Sequence, residues 1–277
     1  MKYFNIYNGE RVELCCENEI GKFNLTAAGC PADMGDVVSG RFSAEKIGAY
    51  LNAPVCGDIK YADVAGKESK LLCVGLNYRA HADGVKLESI KENPILFSKF
   101  NNALAPSGAA VELPEWECTY DYEAELVIVI GKQAWNVSVE NADDYIFGYT
   151  AGNDFSCRAA QKRSSQWLIG KSLPGFGPCG PCIVTKDELD VCSGISIKSY
   201  VNGELRQDGT TSDMIFSCAE IISYASKYIC LEPGDLIFTG TPAGVQLENE
   251  SGAKWLKPGD RVDVEIEGIG TLTNFMV

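Results

Sequence analysis

The run YDYEAELVIVIGK, residues 120–132, constrains the fold of this chain more than any other stretch. Its apolar, β-branched second half, Leu126 through Ile130, predicts a buried strand. Side chains two apart on a strand share one face, so Glu123 and Glu125 project the same way. Two like charges side by side in a core cost several kcal/mol unless positive charge lies between them, and a hard divalent cation is one such neutraliser. An edge strand with both glutamates in water is the other reading that the stretch allows on its own.

The surrounding composition narrows the function classes. A chain of 277 residues, 45% apolar, is long enough for a large core and for one or two domains. A net charge of -14 repels nucleic-acid backbones and anionic membrane surfaces, while a bound cation with one or two local Lys or Arg can still create a pocket for a small anion. No apolar run approaches the ~18 residues needed to span a bilayer, and the N-terminus MKYFNIYNGERVEL has no signal-like apolar region, so a cytoplasmic location is expected. The 12 cysteines are too sparse for a disulfide scaffold and sit mostly in apolar segments, which predicts reduced, buried thiols.

Residues 1–66 read as short strands and turns with one helical piece near residues 43–51, and form an expected small N-terminal domain. A polar, Gly-bearing stretch at residues 63–70 marks its end, and residues 67–277 form the expected catalytic domain. Strands are predicted at residues 71–76, 95–97, 124–130, 145–150, 195–201, 235–238 and 261–266, with helices over 139–145 and 212–227. Pro233-Gly234-Asp235 and Pro258-Gly259-Asp260 are turns that feed strands. The fold class is mixed α/β and rich in strand.

His81 is the single histidine, so an imidazole acid or base has one candidate, in a polar segment that reads as a loop or lid. Asp83 and Glu88 are the carboxylates near enough in sequence to orient it. Asp154 follows a strand and a permissive Gly152. Together with Glu123 and Glu125 it completes three oxygen ligands that suit Mg²⁺, Mn²⁺ or Ca²⁺ rather than zinc. Beyond it gather Arg158, Gln161, Lys162, Arg163 and Lys171. The Gly170-Lys171-Ser172 setting lacks the Gly-rich cradle of a phosphate loop. Cys179 and Cys182 spell a dithiol motif, yet they run into a strand where a redox dithiol needs a helix start.

The strings VGLNYRAH, NPILFSKF, YEAELVIVIGK, FGYTAGNDFS, QKRSSQWLIGKS, GPCGPCIVT, VNGELRQDGTTSDMIF and PGDLIFTGTPAGV occur in the order and spacing of one family. Over residues 70–277 the chain resembles the fumarylacetoacetate hydrolase family, with an N-terminal extension like that of many bacterial members. The resemblance implies a β-roll catalytic domain, commonly homodimeric, with Mg²⁺ or Mn²⁺ held by Glu123, Glu125 and Asp154. It implies a 2-oxo or 2,4-dioxo acid as substrate, with Lys171 and Gln161 on its second carbonyl and Arg158, Gly240 and Thr241 completing the pocket. His81 would activate water to cleave a carbon–carbon bond through a metal-stabilised enolate. Decarboxylation or keto–enol isomerisation on the same metal is the alternative, and a silent metabolite-binding role a further one. Two positions depart from the family. Gly84 stands where many members place a glutamate that orients the histidine, and Ala159 replaces an acidic residue common after the arginine.

Overall fold

Strand Ala124–Ile130 lies near the middle of the main sheet of the protein, a computed structural model that describes residues 1–66, 68–84 and 92–277. Every residue of this strand is buried. Leu126, Ile128 and Ile130 enter one hydrophobic core, and Val127 and Val129 enter a second on the opposite face. That division is the two-residue period of a strand packed on both sides. The edge-strand reading therefore fails: Ile146–Asn153 pairs along one side of the strand and Leu236–Phe238 along the other, both antiparallel.

Among the described residues, eleven strands share this sheet. Its main path runs Lys22–Asn24, Arg11–Glu17, Lys2–Asn8, Gly177–Thr185, Ile146–Asn153, Ala124–Ile130, Leu236–Phe238, Leu71–Gly75 and Ile95–Lys99. The first strand of the chain joins the sheet through Lys2↔Val184 and Tyr3↔Ile183. Tyr3, Leu14, Cys16 and Leu25 pack in one core with Val127, Val129, Leu236 and Phe238. A second sheet of five strands, Glu204–Thr210, Ser196–Val201, Arg261–Ile266, Gly270–Met276 and Ala110–Val111, supplies Ile197, Val264, Ile266 and Leu272 to the first core.

Helices are short. The helix expected over residues 212–227 is confined to Cys218–Ser226, because Ser217 and Glu220 form a reciprocal capping box that fixes its start, and Thr211–Asp213 before it is a 3-10 turn. Residues Val139–Tyr145 are 3-10. His81 does not sit on a loop: it lies in the helix Arg79–Gly84 and is 3% exposed. Cys179 and Cys182 share strand Gly177–Thr185, but at odd spacing they enter opposite cores, where their thiols donate to Gly177 O and Ile269 O. Each is a free thiol.

Candidate active site

The site forms where several strand ends meet. The start of Ala124–Ile130 pairs with the end of Ile146–Asn153 through Ala124↔Asn153 and Glu125↔Gly152. This register brings Glu123, Glu125 and Asp154 together although Asp154 is 29 residues further on than Glu125 by number. Gly152 permits the approach, since a Cβ there would lie 2.5 Å from Val127 Cγ2 and 2.7 Å from Phe238 Cε1. The Asp154 N–H donates to Glu123 O (2.9 Å), and the Glu123 N–H to Asn153 Oδ1 (2.9 Å). The three carboxylates are buried, and one oxygen of each lies within 4.8 Å of the others.

Cations surround two of the three. Arg158 donates to Glu123 Oε1 (2.6 Å), and Lys171 Nζ donates to both Glu123 Oε2 (2.7 Å) and Asp154 Oδ2 (2.6 Å). Lys99 Nζ, from the end of strand Ile95–Lys99, lies 2.5 Å from Asp154 Oδ1, and its ammonium also donates to the carbonyls of Phe155, Lys171 and Phe176. Burial alone would raise the pKa of Glu123, but Arg158 and Lys171 outweigh it and hold the carboxyl below its ordinary range. Burial would likewise discharge Lys171, and the Asp154 and Glu123 charges reverse that, raising its pKa. Glu125 is 1% exposed and accepts from the Gly240 backbone N–H (2.7 Å), with no cation hydrogen-bonded to it among the described residues. Burial, then the Asp154 and Glu123 charges, push its pKa well up.

This imbalance is the test of whether a metal suits the site. Four buried carboxylates, Asp121, Glu123, Glu125 and Asp154, face three buried cations, Lys99, Arg158 and Lys171. One negative charge is left over, next to a donor set made only of oxygen. A hard divalent cation is attracted by that charge and suits the ligand type.

Glu123 and Glu125 open into a cavity of about 390 Å³, lined also by His81, Arg158, Gln161, Lys162, Lys171 and Thr241, and Asp154 is buried behind them. Apolar residues Val74, Leu76, Phe97, Trp167 and Leu247 form its remaining wall. Gly170 is needed to bring Lys171 here, because a Cβ at that position would fall 2.5 Å from the Gln161 backbone nitrogen. Gly240 holds φ at +96°, with Asn77 Cβ 2.9 Å from where its own Cβ would be, and this turn aims its N–H at Glu125. Thr241 Oγ1 donates to Ala124 O (2.9 Å) and accepts from Gln207 Nε2 (2.7 Å).

The carboxylate beside His81 is one that the sequence did not single out. His81 Nδ1 is 2.6 Å from Glu248 Oε1, across 167 residues of chain. Asp83 is exposed, and Glu88 lies outside the described residues. Gly84 explains the exchange, since a Cβ there would stand 2.8 Å from Glu248 Cδ. The side chain missing at position 84 leaves the volume that Glu248 fills. Asp121, Lys99 and Trp167 also escaped the sequence reading. Asp121 adjoins the Glu-x-Glu pair and Lys99 closes the string NPILFSK, but a buried role for either requires the tertiary neighbours to be known.

Residues 70–277 match the family described as Fumarylacetoacetate (FAA) hydrolase C-terminal. Oxaloacetate tautomerase YisK of Bacillus subtilis is 43% identical over 234 residues, 83% of this chain and 76% of that protein. Among solved structures, fumarylacetoacetate hydrolase from psychrophilic Exiguobacterium antarcticum superposes with a TM-score of 0.88 at 31% identity, covering 100% of this chain and 99% of that one. Fumarylpyruvate hydrolase from Pseudomonas aeruginosa, in complex with Mn²⁺ and pyruvate, has a TM-score of 0.68 at 34% identity and covers 75% of this chain and 89% of that one. By its sequence and by its fold, the chain belongs to the fumarylacetoacetate hydrolase family of enzymes.

Proposed function

We propose that the protein is a divalent-metal-dependent keto–enol tautomerase of short 2-oxo acids, with oxaloacetate as the reference substrate. The observation that carries this reading is the His81–Glu248 pair, whose imidazole lines the same cavity as Glu123 and Glu125, with Asp154 buried beside those two carboxylates. The similarity to an oxaloacetate tautomerase supports it.

Glu123, Glu125 and Asp154 would hold Mg²⁺ or Mn²⁺, which when bound supplies Lewis-acid polarisation of a 2-oxo acid. Glu248 as a carboxylate keeps the imidazole proton on Nδ1, so Nε2 is the basic nitrogen of His81. From His81, which lines the cavity, Nε2 takes a proton from the carbon next to the keto group while the oxygen gains one from solvent to complete the enol, and in the reverse direction carbon regains its proton and the oxygen loses its own. Lys171 and Gln161 hydrogen-bond the oxygens of the substrate, and the Lys171 ammonium favours the form in which negative charge gathers on oxygen. Val74, Phe97, Trp167 and Leu247 limit water around the transferred proton. A tautomerase needs only this proton movement, with no second reactant.

A hydrolase acting on 2,4-dioxo acids is the second reading, favoured by the same pair, because a carboxylate-oriented imidazole can also activate water. The similarity to a fumarylpyruvate hydrolase supports it. The purified protein with Mg²⁺ or Mn²⁺ separates the two. Loss of the ultraviolet absorbance of enol-oxaloacetate with the carbon skeleton intact is expected. Cleavage of acylpyruvates to pyruvate and an acid, with no effect on enol-oxaloacetate, would replace the tautomerase by the hydrolase, and release of CO₂ alone would make it a decarboxylase. We further take the working unit to be a homodimer, for which light scattering should give twice the mass of one chain.

A further inference from the structure

Asp121 is completely buried, yet it does not line the cavity. Its contacts join two separate parts of the site. Arg158 donates to Asp121 Oδ2 through Nε (2.9 Å), and its Nη2 lies 2.8 Å from the same oxygen as an ion pair. The backbone N–H groups of Gln246 and Leu247 donate to Oδ1 (2.9 Å) and Oδ2 (3.1 Å). The neighbouring residue repeats the pattern: the Tyr122 hydroxyl donates to Gly244 O (3.0 Å) and accepts from Gln246 Nε2 (2.7 Å). These chain contacts fall in the turn that presents Glu248 or at Gly244 just before it, and Glu248 Oε2 accepts from the Gly244 N–H (2.9 Å) while Oε1 meets His81. Arg158 alone would balance the charge of Asp121. Two main-chain amides directed at the same carboxylate fix where a loop lies.

We infer that Asp121 is a positioning residue that aligns the His81–Glu248 pair through the turn Gln246–Gly252, so that one short stretch, Asp121 to Glu125, sets both the metal-ligand candidates and the acid–base pair. The inference rests on the acid–base reading of His81, and its test separates the two. Asp121→Asn keeps the shape but removes the charge that holds Arg158 and the Leu247 N–H, while Arg158 keeps Glu123 and Gln161.

In the full-length protein loaded with Mn²⁺, Asp121→Asn is expected to lower kcat by about 10-fold or more, the range for groups that orient an active residue. The Mn²⁺ affinity, read by electron paramagnetic resonance, should stay within about 3-fold, well short of that range. In a Glu248→Gln background the same substitution should cost nothing further, because two residues acting through one contact are not additive. Full additivity, or an Mn²⁺ affinity that falls as far as kcat, overturns the inference and leaves Asp121 as a counter-charge for Arg158.

A readout independent of turnover comes from the single histidine. Its downfield Nδ1 proton resonance should be present in the wild type, absent in Glu248→Gln and lost in Asp121→Asn. Retention in Asp121→Asn refutes the positioning role whatever the substrate, whereas a wild type that shows the resonance but turns over no 2-oxo acid refutes only the tautomerase reading. Tyr122→Phe, which removes the hydroxyl contacts to the same turn, should weaken the resonance in the same direction and serves if Asp121→Asn does not fold.

Discussion

Replacing Glu125 with Gln should raise the stability of the protein without metal and lower it with metal, two effects of opposite sign from one atom exchange. The carboxylate oxygens of the trio lie within 4.8 Å of one another. At that separation two unit charges repel by roughly 3 kcal/mol at an effective dielectric constant of about 20. Against this repulsion Glu125 has the more distant Lys171 charge and the Gly240 N–H, whereas Lys171 hydrogen-bonds directly to the other two. The Lys171 charge and the Gly240 N–H offset part of that repulsion, so the gain expected from the neutral amide is about 1–2 kcal/mol. For a chain of this size, that corresponds to melting roughly 2–8 °C higher in EDTA. The Gln side chain keeps the bond from Gly240 and offers its amide hydrogens to Glu123 and Asp154.

With Mn²⁺ the order should reverse. Losing one anionic ligand removes about 4 kcal/mol of attraction, or roughly 10³-fold in Kd. A wild type held at 100 times its Kd gains about 2.7 kcal/mol, and the variant at the same concentration gains almost nothing. Circular-dichroism melts of both proteins across an Mn²⁺ titration should therefore cross. A variant that melts below the wild type in EDTA refutes the like-charge argument. Curves that rise in parallel with Mn²⁺ refute Glu125 as a ligand.

Three other outcomes follow from particular contacts. Gly75→Ala puts a Cβ 2.6 Å from Trp167 Cζ3, and Trp167 packs edge-on against Phe97 in the cavity wall, so overpacking of about 1–3 kcal/mol should appear in steady-state kinetics as a KM several-fold higher. Cys56, Cys118 and Cys192 are exposed and should be the fast-reacting thiols in a native titration; burial pushes Cys182 up to about 11, and changing Cys179 and Cys182 to Ser should leave turnover almost unaltered. Ser217→Ala removes one half of a capping box and should lower stability by about 1 kcal/mol, or 2–4 °C in Tm, without changing Mn²⁺ affinity.

What the sequence disclosed follows the range of the forces involved. The strand Ala124–Ile130 is predicted residue for residue, because an uninterrupted β-branched run has few other ways to be buried. The capping box at Ser217 and Glu220 was equally local but was outweighed by the apolar spacing that begins at Ile215, which moved the expected start too early. The strand Glu204–Thr210 carries little strand signal because ELRQDGT presents mostly polar residues, although Asn202-Gly203 before it is a strong hairpin signal. The polar sequence neighbours of His81 favour a loop, and its burial comes from Glu248 and the cavity wall, which are distant in the chain. The first strand of residues 1–66 pairs at Lys2 and Tyr3 with a strand more than 170 residues away, a contact that no local pattern announces.

The glycine at position 84 bears on how the His81–Glu248 pair could be moved or rebuilt. The imidazole and its carboxylate are carried by two pieces of chain, helix Arg79–Gly84 and turn Gln246–Gly252, so neither is a self-sufficient cassette. Writing a glutamate into position 84 would not restore a missing function, because it would send a second acid into volume already filled by the first, beginning with a Cβ 2.8 Å from Glu248 Cδ. Transplanting the helix alone into a relative would deliver a histidine without its acid. Recombination between members of the family should succeed here only when helix and turn are inherited from the same parent.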